Sequence, residues 1–62
     1  MELILTPNIP DPDGFYDELL LAHEGKSTEE SEALNARLIL ILCNHIGDRE
    51  VLRAALKAAQ PA

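Results

Sequence analysis

Cys43-Asn44-His45 followed by Asp48 is the stretch whose residue types could do chemistry, because thiolate, imidazole and carboxylate serve both as metal ligands and as parts of nucleophilic triads. The spacing works against both uses. Successive helical residues turn by about 100°, so positions 43 and 45 stand about 200° apart and cannot grip one ion from a single turn. The same residues read well structurally. His45 falls in a last turn, where an imidazole favours the negative helix end, Gly47 supplies a left-handed residue, and Asp48 caps the next helix. His23, with Glu24 and Tyr16 nearby in sequence, could line a polar pocket with His45 if two helix ends meet. The plainer expectation for His23 is a half-buried ring on the border of an apolar stripe, satisfied by a backbone carbonyl. No catalytic, cofactor-binding or metal-binding residue is assigned on this pattern.

Three helices must position these groups. The first ten residues carry Leu3, Ile4, Leu5 and Ile9 between Pro7 and Pro10, and each proline biases its predecessor to extended backbone, so residues 1–10 read as a non-helical arm. Asp11-Pro12-Asp13 is a helix start, with a cap, a proline at the first helical position and an acid against the positive dipole end. A helix over about 12–24 follows, stopped by Gly25, with Phe15, Leu19 and Ala22 on one stripe and Tyr16, Leu20 and His23 beside it. Ser27-Thr28-Glu29-Glu30 is a capping box opening a second helix over 28–46. Its apolar residues fall on three stripes: Leu34, Leu38 and Ile41; Ile39, Leu42 and Ile46; and Ala33, Ala36, Leu40 and Cys43. Only the sector of Glu30, Arg37 and Asn44 is cleanly polar. A helix apolar over most of its circumference must be covered from several sides, which makes it the central element. A third helix over about 48–60 sets a Val51, Leu52, Ala55 and Leu56 arc against Arg49, Arg53 and Lys57, until Pro61. The fold class is all-α: a helix hairpin plus a C-terminal helix, one small domain over 1–62 with an extended N-terminal arm.

Size turns that architecture into a question about partners. The chain has 62 residues, eleven of them leucine, with one Phe, one Tyr and no Trp. A core below roughly 70–80 residues rarely supplies more than ~3–5 kcal/mol without a staple. One cysteine makes no internal disulfide, and two histidines with it fall short of a closed zinc site. Association is the remaining remedy, and helix two is the surface for it. The expected partner-binding residues are Asn35, Leu38, Ile39, Leu42 and His45. Asn35 lies between Leu42 and Ile46 on the wheel. It is read either as an amide fixing register in an interface or as a side chain reaching solvent.

Charge narrows the partner class. A net charge of −6 argues against nucleic acid, which is bound through Lys and Arg that displace counterions. Residues 1–32 carry about −8 and residues 33–62 about +2, so an acidic face could meet a basic partner, or two copies could pack head to tail. The bland account is charge placed by helix dipoles. The run Leu38–Cys43 is six residues, against the ~20 of a membrane span, and the N-terminus lacks the basic and apolar regions of a signal peptide. A free thiol suits a reducing compartment, so a cytoplasmic location is expected. An acyl carrier protein would need Asp-Ser-Leu at a helix start, and a ribbon-helix-helix repressor a basic arm; neither is present.

Thr6-Pro7-Asn8-Ile9, Asp11–Tyr16, Leu34–Leu40 and Asn44–Asp48 together resemble a family of short bacterial helical proteins catalogued only as a domain of unknown function. The resemblance covers nearly the whole chain and carries over no catalytic residue. It implies an accessory role beside flavin-dependent oxidoreductases and aromatic-compound degradation enzymes. The expected function is a small non-enzymatic interaction or accessory subunit and a homodimer through helix two. The alternative is a small-ligand or metal-binding protein using His23, His45 and Cys43 across a subunit interface.

Overall fold

Asp11 turns the chain out of the arm and into the first helix. The computed structural model describes residues 2–61, so Met1 and Ala62, the ends of the expected domain, lie outside the described residues. Residues 2–11 form neither helix nor strand. Asp11 takes the left-handed conformation, φ 48° and ψ 64°, which aspartate tolerates better than most residues. Its Oδ1 accepts from the Gly14 N–H at 3.2 Å, and Pro12 takes the first helical position. Gly14 is required by that geometry, because a Cβ there would run into the Asp11 carboxylate. Helix α1 is Pro12–His23. Glu24 has left the helix, at ψ 133°, because Gly25 follows it in the left-handed region at φ 76°.

Helix α2, Thr28–Ile46, opens on the full capping box: Ser27 Oγ accepts from the Glu30 N–H at 3.2 Å, and Glu30 Oε1 accepts from the Ser27 N–H at 2.9 Å. The donated Ser27 backbone N–H, then the Ser27 side chain and the Lys26 charge, hold the Glu30 carboxyl below the usual carboxylate range. Gly47, at φ 71°, closes α2 by donating its N–H to the Cys43 carbonyl at 2.9 Å. Helix α3 is Arg49–Ala58 rather than 48–60. Asp48 stays outside as the cap, its Oδ1 accepting from the Glu50 and Val51 N–H groups at 2.9 and 3.3 Å. At the other end Ala59 still donates to the Ala55 carbonyl, but Gln60 precedes Pro61, which disfavours helical backbone there.

The three helices scarcely close on one another. Val51 is the one buried apolar side chain among the described residues, 6% exposed. Among the described residues only Leu3, Leu19, Leu34, Leu38, Cys43, Leu52 and Ala55 are half-buried apolar side chains. The radius of gyration is 13.5 Å, where a compact chain of this length would have about 11 Å. Helix α2 is central in order, but Ile39, Leu40, Ile41 and Leu42 are 49–68% exposed: α1 and α3, 12 and 10 residues long, are too short to wrap a helix of 19.

Candidate functional site

The α1–α2 hairpin carries nine of the thirteen exposed large apolar residues described, and its two edges differ. Between the helices, Phe15, Leu19 and Ala22 meet Leu34, Leu38 and Ile41 across an open groove of about 390 Å³ that also includes Glu18 and Arg37. These are the first stripes expected for the two helices. Helical geometry sets Glu18 and Arg37 to one side of the Leu19 and Leu38 rows, and His23 and Asn35 to the other.

His23 closes that second edge. It is half-buried, and its Nδ1–H donates to the Leu19 carbonyl at 2.8 Å, the backbone satisfaction expected for it. Its Nε2 stands 2.8 Å from Asn35 Oδ1. With the Nδ1 proton committed, the neutral ring accepts from the Asn35 amide N–H once the amide turns, whereas the charged ring donates to Oδ1. Asn35 is exposed, and its Oδ1 meets a partner on α1 of its own chain, a contact that neither reading of its position, interface register or solvent, had included. It ties α2 to α1. Sequence reasoning missed this pair, although the signal existed: a four-residue connection between antiparallel helices returns the chain within a few residues of His23.

The five expected partner-binding residues divide between two rows. Leu38 is half-buried in the groove, and His45, exposed, lies one heptad further along the same side. Asn35, Ile39 and Leu42 are exposed on the adjacent row, which continues to Ile46. Tyr16 and Leu20, 59% and 51% exposed, extend this row onto α1 on the His23 side.

Cys43 is half-buried and His45 exposed, and among the described residues no three His, Cys, Asp or Glu side chains gather as a metal site. Every buried side-chain nitrogen or oxygen among the described residues has a hydrogen-bond partner. Among the same residues, no helix is long and apolar enough to cross a membrane. What the hairpin offers chemically is apolar area with a polar latch at one edge.

A family described as protein of unknown function (DUF2783) matches residues 3–61 of the 62-residue chain. The chain belongs to this family. The DUF2783 match spans the arm and all three helices, so the exposed hairpin is part of the family's domain. No curated protein and no solved structure matches the chain significantly.

Proposed function

We propose that this DUF2783 chain is a small non-enzymatic interaction protein, an accessory subunit whose fold is completed by contact with another protein chain. One observation carries the reading. Among the described residues a single apolar side chain is buried, while thirteen large apolar residues are exposed, nine of them on α1 and α2. Scattered exposed hydrophobes are ordinary on a monomer, but a row of them along both helices of a hairpin marks an interaction face. The chain exposes 5719 Å², against roughly 4,000 Å² for a compact monomer of 6.8 kDa. So much unburied area leaves too little hydrophobic stabilisation to offset the entropy of ordering the chain alone. The family resemblance makes a larger oxidoreductase or catabolic enzyme one candidate for the larger assembly.

The test is the concentration dependence of folding. Far-UV circular dichroism melts of the purified chain over a hundredfold dilution should show the melting temperature falling on dilution, or rising when the partner is added. A cooperative melt of a monomer, unchanged by dilution, would remove the reading.

A further inference from the structure

We propose that a second copy of this chain covers the Asn35, Ile39, Leu42 and Ile46 row of α2, the two α2 helices running antiparallel about a two-fold axis level with Leu40 and Ile41, so that two hairpins build a four-helix bundle. This rests on the reading that the hairpin face is an interaction surface, and it names the occupant.

The row itself has the pattern of a helix seam. Its residues follow at intervals of 4, 3 and 4, the spacing that keeps apolar side chains facing a partner helix. That pattern is symmetric about its own midpoint. Two antiparallel copies therefore set Ile39 against Leu42 twice at the centre and Asn35 against Ile46 at each end, which is the self-complementarity a two-fold interface demands. Asn35 has its Oδ1 already engaged by His23 of its own chain and, at the end of the seam, keeps its NH2 within reach of water. Tyr16 and Leu20 flank the row on α1 and supply the second layer of the bundle.

Area and charge favour a copy over a passing partner. The chain exposes 5719 Å², about 1,700 Å² more than a compact monomer, which is surface enough for the ~800 Å² per partner of a standard interface. Glu29, Glu30 and Glu32 crowd the N-terminal end of α2, while Asp48, Arg49, Glu50 and Arg53, two acids and two bases, follow its C-terminal end. None of these three acids makes an ion pair within the described residues. Antiparallel packing brings each acidic end against the partner's charge-balanced end and opposes the helix dipoles, whereas parallel packing stacks acid on acid.

Sedimentation equilibrium of the full chain at micromolar concentration should give twice 6.8 kDa. Ile39→Glu should raise the dimer dissociation constant at least ~30-fold, the effect of a hot-spot residue, while Leu21→Glu, exposed on α1 away from the row, leaves it unchanged. Because Ile39→Glu can also unfold the chain, orientation is read separately in a Cys43→Ser background. A mixture of Ile39→Cys and Leu42→Cys chains should form the mixed disulfide faster than either forms its own homodimer. Faster Ile39→Cys homodimers, or a dimer indifferent to Ile39→Glu, overturns the seam. A disordered monomer that folds only with a different protein overturns the second copy but leaves the interaction reading standing. A stably folded monomer overturns both.

Discussion

The His23 ring joins the C-terminal turn of α1 to the second turn of α2, with Nδ1–H on the Leu19 carbonyl and Nε2 at 2.8 Å from Asn35 Oδ1. It is the one side-chain hydrogen bond between different helices found among the described residues, and it fixes the edge along which the hairpin presents its apolar row. A double-mutant cycle with His23→Ala and Asn35→Ala should give a coupling of about 1 kcal/mol in urea melts, the usual net value of one hydrogen bond. Purely additive losses would show that the two side chains do not support one another.

Acid should weaken the start of α2. Glu30 has its carboxyl held low by the Ser27 N–H, so the folded chain binds that proton less readily than the unfolded one. The stability this supplies is complete at neutral pH and is lost as pH falls through the carboxylate range. Melts from pH 7 to about pH 3 should lose less stability in Glu30→Gln than in the native chain. Equal acid sensitivity in the two proteins would remove the capping box from the account.

Asp11 tests backbone and cap at once. Asp11→Ala gives up the Gly14 N–H bond and places an alanine at φ 48°, so it should cost about 1–2 kcal/mol. Asp11→Gly keeps the left-handed turn and should cost only a few tenths. Chemical denaturation of the two variants separates them, and equal costs would show that φ is not strained.

Val51 is the most buried side chain described, and Val51→Ala removes two methyl groups from it. A loss of roughly 2 kcal/mol is expected. Set against the ~3–5 kcal/mol available to so small a core, that leaves about 1–3 kcal/mol, readable as a lowered melting temperature. An unchanged melting temperature would show that association, not Val51, carries α3.

Where the helices start and stop was legible in the residues, and the reason is local. Asp11 to Gly14, Ser27 to Glu30 and Asp48 to Val51 are interactions across three residues, and Gly25 and Gly47 act through their own φ. Such signals do not depend on what the rest of the chain does, and they placed each helix boundary within two residues. The apolar stripes of α2 were legible as well, but not their fates. That Leu34, Leu38 and Ile41 face α1 while Ile39 and Leu42 stay exposed depends on the angle at which a four-residue connection returns the chain. Periodicity within one helix carries no information about that angle. Asn35 shows the difference most sharply: its wheel position left an interface or solvent open, and the contact with His23, twelve residues earlier in the chain, is legible in neither. The sequence by itself determined the elements, because capping and propensity act within a turn. The tertiary structure decided which faces meet and how much area remains uncovered, because packing is settled between residues far apart in the chain.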